Sequence, residues 1–351
     1  MPERVMQAYR LTEWGGPAKL TEVPVPVPGP GQVLVKVAGC GLCHSDLDMM
    51  GMPAQYGESL GWSMPFTLGH ETAGWLAEIG PGAVVDAVEG EAVALAAAES
   101  CGRCRYCLAG QDSACPSGAA GRGYGRDGGL AEYVLVNDPR DIVPLGDLDP
   151  TTAGPLTDAG ATSYHAARRV RSRLLPGATA VVIGAGGLGA FGLQFLGLLG
   201  AARVVAVDIS PERRARAVEL GADEAMEGVD ESTTARLRER GGGAGVDVVL
   251  DFVGSDMTIA AGLGALAPGG AFGLVGAAGG GFGASWIYGL PRDGEVFTFQ
   301  GSDLSDTRAV IALARAGAIT NETEVFALND VEEAYRRFDD GRLHARAVAV
   351  P

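Results

Sequence analysis

Basic residues are scarce in this sequence. Its 351 residues hold 27 Lys and Arg against 43 Asp and Glu, a formal net charge of −16. Such a chain is repelled by phosphate backbones and anionic membrane surfaces, so neither nucleic acid nor membrane is an expected partner. The arginines that do cluster, Arg168 to Arg173 and Arg213 to Arg216, have helical neighbours and read as solvated helix faces. Long apolar runs are missing too. No stretch of about 18 apolar residues free of glycine or charge occurs, and the start Met1-Pro-Glu-Arg-Val-Met-Gln7 lacks an apolar segment after a basic one. The expected compartment is the cytoplasm. Histidine is limited to His44, His70, His165 and His344, and four of the six cysteines crowd into fifteen residues. That spacing is too local to staple a secreted fold and points to metal ligands in a reducing compartment.

Apolar residues and glycine are plentiful instead. Hydrophobic residues make up 47% of the chain, and its 55 glycines follow no three-residue period. A globular chain with core enough for two domains is expected, and neither collagen nor a low-complexity segment fits. The first part reads as β-rich and barrel-like. Pro-rich Val23 to Pro30 and the turn Gly29-Pro-Gly31 lead into Gln32-Val-Leu-Val-Lys-Val37, and apolar runs follow at Thr72 to Ile79, Glu91 to Ala98 and Ala131 to Val136. Near residue 158 the pattern changes to alternating strands and helices. Strands are expected at Thr179 to Ile183, Arg203 to Val207, Val246 to Leu250 and Gly270 to Val275, and helices at Leu188 to Leu199, Pro211 to Leu220 and Met257 to Ala267. This alternation builds a doubly wound parallel sheet, which makes the fold class α/β. Helices near Asp306 to Ala316 and Val331 to Gly341 fall outside that unit. The expected domains are 1–157, 158–300, and a tail 301–351 that packs back on the first.

Gly184-Ala-Gly186-Gly187-Leu188-Gly189 follows the first of these strands and opens a helix, the context that gives G-x-G-x-x-G its meaning. The first glycine permits the tight turn, the second lets backbone approach a pyrophosphate, and the third lets helix and strand pack closely. The helix N-terminus adds N–H donors and the positive end of its dipole. A glycine-rich connector without a ligand is the bland alternative. Asp208 ends the next strand nineteen residues past Gly189. A carboxylate there accepts from both ribose hydroxyls and repels a 2′-phosphate, so NAD is expected over NADP. Arg213 either reaches the same ribose or faces solvent, and with Arg214 it keeps NADP open.

Cys101-x2-Cys104-x2-Cys107-x7-Cys115 supplies four thiolates in one short loop, enough for a closed tetrahedral zinc centre of structural role. An iron–sulfur centre is the competing reading. A second set is dispersed through Cys43-His44-Ser45-Asp46, Gly69-His70-Glu71 and Thr157-Asp158-Ala-Gly160. Spacing alone makes these weak, since a lone histidine is more often structural than a ligand. Cys40 forms a decoy Cys40-x2-Cys43 pair and reads as a small buried residue.

Gly41-Leu-Cys-His-Ser-Asp46, Gly69-His-Glu71, the cysteine quartet and the dinucleotide motif, taken in order, resemble the zinc alcohol dehydrogenases of the medium-chain dehydrogenase/reductase superfamily. The likeness covers essentially the whole chain. Leu156-Thr-Asp-Ala-Gly160 is most similar to bacterial NAD-dependent secondary-alcohol dehydrogenases. The resemblance implies a GroES-like catalytic domain split around a Rossmann domain, and two zinc ions per chain. Cys43, His70 and Asp158 would hold the catalytic zinc, with water or substrate oxygen fourth. Many relatives place a cysteine where Asp158 stands, but aspartate is an ordinary zinc ligand. Glu71 would be a carboxylate behind the metal or a transient ligand, and Asp46 would orient a ligand imidazole. His44 and Arg346 resemble pyrophosphate contacts, and Val253 and Gly276 complete the expected cofactor-binding set. Subunits of such enzymes associate, so a homodimer or homotetramer is expected.

The implied reaction is reversible hydride transfer between an alcohol, expected to be secondary, and NAD. Zinc with one thiolate, one carboxylate and one neutral imidazole carries no net charge and acts as a Lewis acid. Ser45 resembles the first hydroxyl of the family's proton relay. Relatives end that relay at a histidine where this chain has Asp48, so its continuation through Asp48 or His44 is open. Competing readings are a zinc-free enone or quinone reductase of the same superfamily, a non-catalytic NAD-binding zinc protein, and a dehydrogenase for polyols or a biosynthetic intermediate. Met49, Met50, Met52, Tyr56, Trp62 and Met64, with Tyr124, Trp286 and Tyr288, either line an apolar substrate pocket or belong to plain structural segments.

Overall fold

The run Val33-Leu-Val35, expected to open a strand, does so in a computed structural model that describes residues 4–283 and 285–351. The strand Val33–Gly41 is buried at every position except Lys36. A β-branched run with one charge suits a strand covered on both faces. It lies in the first of two units, residues 1–161 with 301–351, the second being 162–300. Among the described residues no helix is long and apolar enough to cross a membrane.

In the first unit Val33–Gly41 pairs antiparallel with Glu71–Ile79, from Val33 opposite Ile79 to Gly41 opposite Glu71. Its other edge takes Tyr133–Val136 at one end and the C-terminal strand Arg346–Val350 at the other. The full path runs Ile142–Pro144, Ala92–Leu95, Glu71–Ile79, Val33–Gly41, Arg346–Val350, Thr323–Ala327. Register shifts at Leu34/Val35 and Val37/Gly39 bend the central pair, as bulges do in barrel-like sheets. A smaller sheet of Lys19–Pro24, Val5–Leu11 and Phe66–Thr67 delivers Tyr9, Leu11 and Phe66 to the same core as Leu42, Leu68 and Leu130. Burying one such leucine or phenylalanine contributes on the order of 2 kcal/mol. The helix Val331–Asp339 buries Val331, Ala334 and Tyr335, one face at helical spacing.

The second unit is a six-stranded parallel sheet in the order Glu224–Glu227, Arg203–Asp208, Thr179–Ile183, Val246–Asp251, Leu266–Leu274, Glu295–Thr298. Counted along the chain this is 3-2-1-4-5-6, the doubly wound dinucleotide-binding order. Thr179–Ile183 is buried at all five positions. One expected boundary is corrected. The helix read as ending at Ala267 stops at Ala265, and Leu266 and Ala267 already belong to a strand. Pro268-Gly269-Gly270 follows them and accommodates a register shift against Val246 and Val248, which lets the strand start early.

The glycine loop shows why its residues are needed. Gly184 has φ +86°, open to glycine at little cost, and a Cβ on Gly189 would lie 1.8 Å from the Gly184 carbonyl oxygen. The helix Gly187–Leu199 therefore sits directly on the loop it leaves. Gly189→Ala should destabilise the protein by about 1–3 kcal/mol through overpacking. Denaturant unfolding measures this, and an unchanged midpoint would contradict the contact.

Candidate active site

Cys43 caps the N-terminus of the helix His44–Met50, and His70 immediately precedes the strand Glu71–Ile79. Asp158 stands just before the helix Ala159–Arg169. One donor atom from each of Cys43, His70, Glu71 and Asp158 lies within 4.8 Å of the others. His70 Nε2 and Asp158 Oδ2 are 3.6 Å apart. Two ligands at about 2.0–2.1 Å on a tetrahedral ion stand about 3.3 Å apart, so the pair has nearly metal-binding spacing. The donor set also asks for a cation. Burial works against protonating His70, yet Tyr124, Asp46 and Asp158 outweigh it and hold the imidazole well above its ordinary pKa. Glu71 Oε2 has no hydrogen-bond partner among the described residues. These observations fit a zinc ion.

Behind these donors lies a fully buried layer. The Asp46 Oδ2 atom accepts from the Cys43 amide at 2.9 Å and from the Tyr335 hydroxyl at 2.8 Å. Burial, then Asp46, push the Tyr335 phenol well up, so it stays a donor. The other carboxylate oxygen, Oδ1, faces His70 Nδ1 at 3.5 Å, the placement that leaves Nε2 for a metal. Glu71 pairs with Arg346, which also donates to the Leu42 carbonyl at 2.9 Å. Burial pushes the Glu71 carboxyl up to about 7 against the pull of this guanidinium, and Glu71 in turn keeps Arg346 more firmly protonated.

Cys101, Cys104, Cys107 and Cys115 converge in one loop. Their sulfurs are 3.5 Å apart for Cys104 and Cys107, and 4.0 Å for Cys101 to Cys107 and Cys104 to Cys115. Four sulfurs about 2.3 Å from zinc lie about 3.8 Å apart, whereas a disulfide needs about 2.05 Å. Backbone amides of Arg103 and Cys104 pull the Cys101 thiol down to about 6, the direction a thiolate ligand requires. Arg140 pins the loop by donating to Asp112, Asp138 and the Ser100 carbonyl.

In the second unit the predicted cofactor residues gather at the carboxyl ends of adjacent strands. A Cβ on Gly184 would meet Val253 Cγ2 at 2.7 Å, and one on Gly276 would meet the Val253 backbone at 2.3 Å. Asp208 accepts from the Ala185 amide at 2.8 Å and the Ser210 amide at 2.9 Å, so its carboxylate also braces the glycine loop. Arg213 brings Nη1 to 3.7 Å from where a Gly186 Cβ would be, while Arg214 is tied to the carbonyls of Asp208 and Ile209.

Residues 29–147 match the alcohol dehydrogenase GroES-like domain family, and residues 187–315 match the zinc-binding dehydrogenase family. Over 358 aligned residues the chain is 36% identical to an NAD-dependent alcohol dehydrogenase of Sulfurisphaera tokodaii, covering 99% of this chain and 100% of the relative. The chain belongs to the alcohol dehydrogenase family. It is 32% identical to a D-arabinose 1-dehydrogenase (NADP(+)) of Saccharolobus solfataricus over 98% of this chain and 97% of that one. The crystal structure of the alcohol dehydrogenase from Aeropyrum pernix matches with a TM-score of 0.90 at 30% identity, over 98% of this chain and 100% of that one. As a member of the medium-chain dehydrogenase/reductase superfamily, the protein is an oxidoreductase.

Cys40 is buried against Thr72, its thiol pushed up to about 12 by burial, outside the donor cluster. Asp48 is exposed, and His44 lays its ring on Phe338 at 4.1 Å. Met49 and Trp62 are core residues, Met50, Met52 and Met64 pack against that core, and Tyr56 is exposed. The side chains of Trp286 and Tyr288 lie outside the described residues. Tyr335, the anchor of Asp46, gains a place that the sequence did not signal, while Tyr124, named as a pocket candidate, brings its hydroxyl to Ser45 and His70. Tyr335→Phe should release Asp46 and weaken zinc binding at Cys43, His70 and Asp158 by about 10- to 100-fold, with the quartet unaffected. Chelator competition measures both sites, and unchanged affinity would rule out the anchoring role.

Proposed function

We propose that this dehydrogenase oxidises alcohols, secondary ones foremost, with NAD. One zinc would sit on Cys43, His70 and Asp158, and a second on Cys101, Cys104, Cys107 and Cys115. The observation that carries the reading is the convergence of four donors from three separated motifs within 4.8 Å, one of them Glu71, whose buried Oε2 has no hydrogen-bond partner among the described residues. Zinc, when bound, supplies a Lewis acid that acidifies an alcohol hydroxyl, and NAD, when bound, accepts the hydride. Ser45, two residues past Cys43, accepts the alcohol's proton as it passes its own on to the ribose hydroxyl of bound NAD and from there toward solvent. Asp46 fixes the His70 ring, and Glu71, held by Arg346, acts as the carboxylate behind the metal or a transient ligand. Gly184, Gly186, Gly187, Leu188 and Gly189 offer backbone to the pyrophosphate, with Val253 and Gly276 beside them and Asp208 and Arg213 at the adenosine ribose. His44 and Arg346 are further pyrophosphate contacts in this reading, although Arg346 comes with its charge already matched by Glu71. The working enzyme is a cytoplasmic homodimer or homotetramer.

A zinc-free reductase would leave this buried acidic donor set without its cation, at a cost of several kcal/mol. A relative named D-arabinose 1-dehydrogenase (NADP(+)) adds aldoses to secondary alcohols, primary alcohols and polyols in the substrate panel.

The decisive contrast pairs two variants. Elemental analysis should find two zinc ions per chain, falling to one in Asp158→Ala, which loses turnover because two remaining ligands cannot hold the ion. Ser45→Ala should keep both ions and bind NAD normally while slowing turnover by about 10². If both variants keep two ions and parental rates, the cluster is not the active site.

Cofactor choice is a separate test. The Asp208 carboxylate favours a free 2′-hydroxyl, so NAD should exceed NADP by at least about tenfold in kcat/KM, about 1.4 kcal/mol. Asp208→Gly should narrow that gap, and equal rates in the parent would overturn the assignment.

A further inference from the structure

Ser45 needs its hydroxyl aimed at the substrate oxygen, and the Tyr124 phenol meets that hydroxyl. The Tyr124 hydroxyl lies 3.1 Å from Ser45 Oγ and 3.2 Å from His70 Nε2. Its ring packs on the His70 imidazole with centroids 4.5 Å apart and on Trp62 at 6.0 Å. Trp62 is itself fixed, donating its indole N–H to the Ala119 carbonyl at 2.7 Å.

The backbone is shaped to hold the phenol there. Tyr124 sits between Gly123 and Gly125, at φ +74° and +75°. A Cβ on Gly123 would meet the Gly69 carbonyl carbon at 2.7 Å, and one on Gly125 would meet Trp62 Cγ at 2.4 Å. A side chain at position 123 would push on the Gly69–His70 backbone, and one at position 125 on the Trp62 ring that backs the phenol.

A phenol has one proton to give. His70 Nε2 is the nitrogen that faces Asp158, so in the metal-loaded protein its lone pair is committed and cannot accept from Tyr124. Ser45 Oγ is then the remaining protein partner of the phenol named here. We propose that Tyr124 is a positioning residue for the alcohol oxidation: its hydroxyl fixes the Ser45 hydroxyl beside the metal, and in metal-free protein it occupies His70 Nε2. The proposal rests on the reading that Ser45 takes the alcohol's proton.

Tyr124→Phe keeps the stacked ring and removes only the hydroxyl. With the zinc-loaded enzyme it should lower kcat by about tenfold, the lower edge of acid–base effects, with KM and NAD affinity within twofold of the parent. In a Ser45→Ala background it should cause no further loss, since its effect passes through Ser45. A second readout needs no turnover. With the quartet kept loaded, cobalt(II) titration of the emptied Cys43, His70 and Asp158 site, followed by visible absorption, should give two- to tenfold tighter binding in Tyr124→Phe. One net hydrogen bond competing for Nε2 is lost, and that is its usual worth. Parental kcat together with parental cobalt affinity would overturn the proposal. So would an undiminished additional loss in the Ser45→Ala background, which would give Tyr124 a role independent of Ser45 while leaving the Ser45 reading intact. If Ser45→Ala alone turned over at the parental rate, the Ser45 reading would fall and the proposal with it.

Discussion

The register that sets Gly41 opposite Glu71, and Val348 opposite Gly41, governs four of the chemically active side chains together. Cys43 lies two residues beyond Gly41, His70 one residue before Glu71, and Arg346 two residues before Val348. Because side chains alternate along a strand, a slip of one residue would turn Glu71 away from Arg346 and His70 away from Cys43. Gly41 is part of this constraint, since any Cβ there would lie 2.0 Å from Glu71 Oε2. The central strand pair is thus both the spine of the first unit and the ruler that spaces its donors.

The same pairing imposes an electrostatic debt. Asp46 and Glu71 are fully buried, with His70 2% and Arg346 6% exposed. Charges removed from water at this depth persist only when matched by opposite charge and by hydrogen bonds. Arg346 answers Glu71, and the Cys43 amide with the Tyr335 hydroxyl answers one oxygen of Asp46. Asp46 Oδ1 and His70 Nδ1 face each other at 3.5 Å, and Glu71 Oε2 keeps no hydrogen-bond partner among the described residues. The remaining imbalance is negative and centred on Cys43, His70 and Asp158, where a divalent cation would cancel it.

What could be read in the residues follows from how local each feature is. The glycine motif and the cysteine quartet complete their geometry within fifteen residues or fewer, so their spacing already specifies shape. The alternating strands and helices of the second unit were legible because buried parallel strands are continuous apolar runs. Glu224–Glu227 was not, since Glu-Ala-Met-Glu carries little strand preference and is formed by its neighbour Arg203–Asp208. The Tyr335 to Asp46 bond joins residues 289 apart, and Tyr124 meets Ser45 across 79. Tyr124 could be named as a pocket aromatic, but nothing near it in the chain marks its hydroxyl as the partner of Ser45. The resemblance supplied Asp46, Glu71 and Arg346 as residues of interest, but Tyr335 as the partner of Asp46, and the pairing of Glu71 with Arg346, came from tertiary structure.

The two donor sets differ most in what holds them together. The quartet loop is fastened by Arg140 to Asp112, Asp138 and Ser100, and by the Ser113 amide to Asp303, contacts that do not involve the sulfurs. Its four sulfurs are therefore positioned by short-range contacts of the loop as well as by any ion they hold, and the ordering entropy of a short loop is small. Cys43, His70 and Asp158 are instead brought together by the sheet register, by Tyr335 from the C-terminal helix and by Arg346 from the last strand. Their affinity for metal is set by the packing of the whole first unit. Loosening Tyr335 or Arg346 should weaken the mixed site while the quartet still holds, because the quartet loop is fastened instead through Arg140 and Ser113.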